Sequence, residues 1–134
     1  MIKKTITYTD YNGFERKEDF YFNLNEAEIL EMEMTTKGGL GGFLEKIVQT
    51  QDQPSIFKAF KELILKAYGV KGADGRRFEK SEELSKDFEQ TEAYSKLVME
   101  LATKADKAAE FVNGIVPAEM AKQLENKPAL KPVE

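Results

Sequence analysis

The chain has 134 residues, 41% hydrophobic and 33% charged, with a formal net charge of −4. That length supports one domain with a real core and leaves little room for a second. Three side chains are missing altogether, His, Cys and Trp, which removes the usual general base, the cysteine nucleophile and the zinc ligands. Acidic and basic residues are interleaved without a basic surplus, which argues against duplex nucleic acid. No apolar run reaches the roughly 18–20 residues of a membrane span. Met1-Ile2-Lys3-Lys4 leads into Thr and Tyr rather than an apolar signal region, so secretion is not expected. The lack of cysteine fits a reducing compartment.

Residues 2–9 alternate, with Ile2, Lys4, Ile6 and Tyr8 on one face and Lys3, Thr5, Thr7 and Thr9 on the other. Thr, Ile and Tyr favour strands. Residues 14–24 form a second run, with Phe20, Phe22 and Leu24 sharing a face. The turn length decides whether the two apolar faces agree. A two-residue Asn12-Gly13 loop sets Ile2 opposite Asn23. A three-residue Tyr11-Asn12-Gly13 loop pairs Asp10 with Phe14 and Ile2 with Phe22, and the apolar residues then share one side. Because a one-residue slip flips every side chain, the register is expected to follow that face, with Gly13 in the left-handed position of a bulged loop. An isolated hairpin is only marginally stable, so helices must cover it. Phe20 and Phe22 are expected to pack on Phe57, Phe60 or Leu63.

Asn25 is a good N-cap and Glu28 follows three residues later, as in a capping box. Ala27, Leu30 and Met34 make the stripe of the helix that follows. Four glycines lie between residues 38 and 42. They lack the Gly-Lys-Ser/Thr that a phosphate loop needs, so they read as a joint. A helix patterned on Leu40, Phe43, Leu44, Ile47 and Val48 comes next. Pro54 opens another, with Ile56, Phe57, Phe60, Leu63, Ile64 and Ala67 on a wide apolar face and Gly69 as its C-cap.

In "VKGADGRRFEKS" the pair Asp74-Gly75 resembles a calcium loop, but Val70, Gly72 and Ser81 fall on three ligand positions, which excludes calcium. Arg76 and Arg77 read as a solvated or internally paired loop. Ser81 caps a short helix with Leu84 and Phe88 inward. Thr91 opens a helix with Tyr94, Leu97, Val98, Leu101, Ala102 and Ala105 on one stripe. A last helix near 104–113 carries Ala108, Ala109 and Val112 and ends at Gly114. A single domain over 2–116 is expected, followed by a tail over 117–134, disordered from about residue 126. The fold class is therefore α+β, mostly α: an N-terminal β-hairpin packed on a bundle of five or six short helices.

"GFERKEDFYFNLNEAEILEME", "DGRRFEKSEEL", "FEQTEAYSKLVMEL" and "AAEFVNGIVP" occur in this order over roughly residues 2–117. Together they resemble the tail assembly chaperones of long-tailed bacteriophages and prophages of Gram-positive bacteria. The resemblance implies a non-enzymatic protein of the host bacterial cytoplasm, absent from the finished virion. It implies two partners, the tape measure protein, which it keeps soluble, and the major tail (tube) protein, whose subunits it helps recruit. It also implies that a longer frameshifted form often accompanies the short one. No catalytic, metal or cofactor-binding residue is implied, and no nucleic acid or membrane.

The residues themselves offer a surface for such a role. Met32 and Met34 alternate with Glu31 and Glu33, so one helical face cannot bury both methionines, and methionine suits surfaces that accept varied partners. The hairpin has at least one free strand edge. The candidate partner-binding residues are Met32, Met34, Lys3 and Tyr8; Lys3, Lys4, Arg16 and Lys17 also read as edge protection. Two other classes stay open: a small phage regulatory or inhibitory protein acting on a host factor, and an oxygen-ligand metal enzyme. For the second, Glu15, Glu18 and Asp19 span both faces of a strand and do not converge on one ion.

Overall fold

The computed structural model describes residues 1–35 and 53–117. The glycine joint, the helix expected over Leu40 to Val48, and the tail beyond residue 117 lie outside them. The first element is the hairpin of β1 (Ile2–Thr9) and β2 (Glu15–Phe22), antiparallel, with Ile2 opposite Phe22 and Thr9 opposite Glu15. This is the register of the three-residue loop. Gly13 has φ +86°, a conformation that glycine reaches without steric cost. Asp10 organises the turn. Its backbone N–H donates to Phe14 O at 2.8 Å, and its Oδ1 accepts from the N–H groups of Asn12 and Phe14 at 2.9 and 3.0 Å. Oδ2 accepts from Arg16 Nε at 2.5 Å. The Arg16 bond, then the backbone N–H of Phe14, holds the Asp10 carboxyl below the usual carboxylate range.

Helix α1 (Glu26–Thr35) follows at once. The capping box forms in both directions: Glu28 N–H donates to Asn25 Oδ1 at 2.8 Å, and Asn25 N–H donates to Glu28 Oε1 at 3.0 Å. The inward face, however, is not the expected stripe. Ile29 and Met32 are buried, and Ala27, Leu30 and Met34 are exposed. Both faces of this helix carry apolar residues, so periodicity had two stripes to choose from, and the entry from β2 chose between them.

Helix α2 (Gln53–Ala67) has Pro54 in its first turn and buries Phe60, Leu63, Ile64 and Ala67. It does not end in a glycine cap. The chain passes directly into β3 (Tyr68–Lys71), which pairs with β4 (Phe78–Glu79) and, through Tyr21↔Gly69 and Phe22↔Tyr68, extends the hairpin to a four-stranded antiparallel sheet in the order β1-β2-β3-β4. Gly69 is therefore a strand residue. A Cβ there would lie 2.6 Å from the Phe78 ring and 2.8 Å from Glu79 O, so the glycine permits the close approach of β4. Strands of four and two residues are too short to show alternation, which is why the sequence reads this stretch as a loop.

Helix α3 (Glu82–Glu89) begins at Ser81, whose Oγ accepts from Leu84 N–H at 3.0 Å. Helix α4 (Glu92–Thr103) begins at Thr91, whose Oγ1 accepts from Tyr94 N–H at 3.2 Å. Both caps fall where the sequence places them. Helix α4 is central, packing against β1, α2, α3 and the last helix, α5 (Ala105–Ile115). Its inward stripe is Ala93, Tyr94, Leu97, Val98 and Leu101, while Ala105 is exposed. Helix α5 runs through Gly114 instead of stopping there. A Cβ at Gly114 would meet Ile2 Cβ and Cδ1 at 2.8 Å, so this glycine lets the helix lie against the first strand. Ala109 of this helix is exposed, and Phe111 and Ile115 fill the core beside Ala108 and Val112.

Phe22, completely buried, is the hub of the core. Its ring centroid lies 5.3 Å from Phe111, 5.7 Å from Phe88 and 5.8 Å from Tyr68, in the tilted and edge-on geometries that aromatic quadrupoles favour. Tyr68 stacks on Phe88 at 4.3 Å, and Phe20 meets Phe88 at 5.2 Å. Phe60 and Leu63 belong to the same cluster, but Phe57 is on the surface. The ring partners of the hairpin thus come from β3, α3 and α5 rather than from α2. The fold is α+β, with five helices among the described residues.

Candidate partner-binding surface

The outer surface of the first 35 residues is set by how the hairpin hands the chain to α1. Asn23 N–H donates to Ala67 O at 2.8 Å and Leu24 N–H to Ile115 O at 2.6 Å. The strand end is thereby fastened to the ends of two helices. Lys80 adds a third tie: its Nζ donates to Asn23 O and to Glu28 Oε2, each at 2.6 Å. Burial lowers the Lys80 pKa, and the hydrogen bond to Glu28 opposes that shift. These ties fix the rotation of α1 about its axis, and so decide which residues face out.

Of the four candidates, two are in the core. Met32 is 4% exposed and Tyr8 8% exposed. The Tyr8 hydroxyl donates to the Glu18 carboxylate. That hydrogen bond first, then burial, pushes the Tyr8 pKa up to about 12. Neither residue is placed to meet a partner. Met34, at 77%, and Lys3 stay on the surface, one on α1 and the other on the outer face of β1. On α1, the residues of the expected stripe that the structure places outside include Ala27 and Leu30, the latter 60% exposed. They join Met34 in one stripe. At the hairpin tip, Tyr11 and Phe14 are exposed as well.

β1 is the outermost strand; α4 packs on its inward face, where Lys4 Nζ meets Glu100 Oε1 at 2.8 Å. β3 covers the far side of β2 at Tyr21 and Phe22. Among the described residues, β2 from Glu15 to Phe20 has no strand on that side.

No arrangement among the described residues resembles a metal centre: no group of three or more acidic side chains converges. Glu18 is engaged by Tyr8 and Arg16, and Asp19 Oδ1 accepts from Thr5 Oγ1 at 2.6 Å. Arg77 pairs with Glu79 at 2.8 Å on the surface, as an internally paired loop arginine does. No described helix is long and apolar enough to cross a membrane.

No curated protein and no solved structure matches the chain. The model of a family described as phage tail assembly chaperone matches residues 1–134. A surface of exposed apolar side chains on a charged exterior is compatible with a protein that works by binding others, and the match spans every segment that carries the sequence resemblance; the chain belongs to the phage tail assembly chaperone family.

Proposed function

We propose that this protein is a non-enzymatic chaperone that binds the tape measure protein, keeps it soluble, and helps bring tail tube subunits to it during tail assembly in the host bacterial cytoplasm. The observation that carries the reading is the family match over residues 1–134. A tape measure protein is long and exposes apolar helix faces before it is assembled, so it needs a reversible cover. Affinity per site is on the order of micromolar, with repeated sites along the tape measure supplying occupancy. Such a chaperone leaves as the tube grows and is not retained in the virion.

The test is co-expression of the full chain with the tape measure protein of the same phage, followed by affinity capture and a solubility assay, and the same with the tail tube protein. Tape measure protein that is soluble only in the presence of this chain is the expected result. Failure to capture either partner, with both freshly synthesised, overturns the proposal.

A further inference from the structure

Strand β1 ends the sheet, and the turn fixes the phase of its hydrogen bonds. Asp10 N–H donates to Phe14 O at 2.8 Å, so these two residues form a hydrogen-bonded pair. Such pairs recur at every second residue of an antiparallel ladder. With Tyr8 opposite Arg16, Ile6 opposite Glu18 and Lys4 opposite Phe20, the backbone groups of Tyr8, Ile6 and Lys4 face β2. Those of Lys3, Thr5, Thr7 and Thr9 face away from it. The alternation holds on β2 as well, where Asn23 N–H donates to Ala67 O on the side away from β1. Among the described residues no backbone group pairs with the four outward residues of β1.

Open edges are commonly blunted by proline, a bulge, an inward charge or a covering element. β1 has no proline, and it pairs without interruption from Ile2 to Thr9. Its inward lysine, Lys4, is paired with Glu100 at 2.8 Å. Of the four outward residues only Lys3 is charged, and it stands at one end. What satisfies such an edge along its length is another extended backbone, and this edge is its own complement. A two-fold axis at Ile6 sets Thr5 opposite Thr7 and Lys3 opposite Thr9 of a second copy. No other antiparallel register maps the four outward residues onto themselves. All four then enter hydrogen-bonded pairs, about eight bonds at two per pair, with threonine facing threonine at the centre. The two Lys3 side chains fall at opposite ends, about 20 Å apart, beyond the roughly 8 Å screening length of physiological salt. We infer that the chain forms a two-fold dimer through antiparallel pairing of β1 with β1 of a second copy. The pairing joins the two sheets into one and is closed, because each copy uses the same edge.

Amide hydrogen exchange and sedimentation of the full chain, from about 10 µM to about 0.5 mM, test it. The expected result is a monomer–dimer equilibrium. Protection of the Lys3, Thr5, Thr7 and Thr9 amides rises with concentration, while the Lys4, Ile6 and Tyr8 amides are protected throughout. Thr7→Pro removes an N–H that faces away from β2, a place where an edge strand tolerates proline. Thr5→Lys/Thr7→Lys sets like charges across the two-fold. Each is expected to weaken dimerisation about tenfold or more, and Thr5→Lys/Thr7→Glu, which sets unlike charges there, to restore it. A wild-type chain that stays monomeric at about 0.5 mM, with the four amides exchanging freely, overturns the inference. So does protection of those amides at every dilution, which shows a segment of the chain itself on the edge. A dimer undiminished in Thr7→Pro and Thr5→Lys/Thr7→Lys lies elsewhere and overturns it as well. Assemblies that grow past the dimer show head-to-tail pairing of β1 with the open part of β2 instead, and a dimer that Thr5→Lys/Thr7→Glu fails to restore overturns the register.

Discussion

Glu28 and Lys80, 52 residues apart in sequence, meet at 2.6 Å through Oε2 and Nζ. The same glutamate closes the capping box of α1 with its other oxygen, Oε1, which accepts from Asn25 N–H. One side chain thus joins a local signal, the start of a helix, to a long-range one, the position of that helix against the end of the sheet. Both partners are about one-quarter exposed, with side-chain exposures of 27% and 21%. Such a pair is worth more than a surface pair, and losing one member leaves the other partly desolvated. Glu28→Gln keeps the cap geometry and removes the charge; a loss of about 1 kcal/mol is expected. Lys80→Met also removes the donor to Asn23 O and is expected to cost about 2 kcal/mol. Urea unfolding of both single variants and the double gives the coupling, which is expected to be positive.

The second prediction concerns Phe22. It is fully buried and touches three aromatic rings from three different elements. Phe22→Ala is expected to cost about 3–5 kcal/mol, the transfer loss plus a cavity that the neighbouring rings cannot fill. Phe57→Ala, on the surface, is expected to cost well under about 1 kcal/mol. Comparing the two by urea unfolding checks the assignment of core and surface.

Alkaline pH addresses the tyrosines. Burial first, then the charge of Glu89, pushes the Tyr94 pKa up to about 12, and Tyr8 is pushed to about the same value by its Glu18 hydrogen bond and by burial. A raised tyrosine pKa means that the folded state keeps a proton that the unfolded state gives up near its ordinary value of 10.0. The stability it contributes is complete below that value and is lost as pH rises from there to about 12. Stability is therefore expected to fall through that window. Tyr94 Oη is buried without a hydrogen-bond partner among the described residues, so Tyr94→Phe is expected to be neutral or to stabilise by up to about 1 kcal/mol at pH 7, and to flatten the alkaline decline. Thermal midpoints at pH 7, 9, 10 and 11 for wild type and Tyr94→Phe measure both effects.

Gly114 and Ile2 make the fourth prediction. An added Cβ would sit 2.8 Å from the branch atom of Ile2. In an open helix, alanine in place of glycine gains about 1 kcal/mol. Here Gly114→Ala is expected to destabilise by about 1–3 kcal/mol, because the branched strand residue cannot move away. In an Ile2→Ala background the same change is expected to cost much less or to stabilise. A non-additive double-mutant cycle is the outcome that checks it.

Sequence alone determined the parts that depend on neighbours a few residues apart. The register of the first hairpin followed from the requirement that Ile2 and Phe22 share a face, and the turn from Gly13. Asn25, Ser81 and Thr91 marked three helix starts, because a cap is a hydrogen bond to a backbone N–H two or three residues on. The buried stripe of α4 was legible because, Met99 apart, its large apolar residues lie on one side. Tertiary structure decided what local pattern left balanced. Strands β3 and β4 exist because Tyr68 and Gly69 find the end of β2 and Phe78 closes over Gly69, contacts that no four-residue pattern encodes. Gly69 and Gly114, which resemble helix stops in the sequence, are instead places where Phe78 and Ile2 come too close for a Cβ. On α1 two apolar stripes compete, and the ties of Asn23, Leu24 and Lys80 to distant elements turn Ile29 and Met32 inward. The same rotation leaves Leu30 and Met34 in water, because a helix of ten residues joined this closely to a strand can bury only one of its faces.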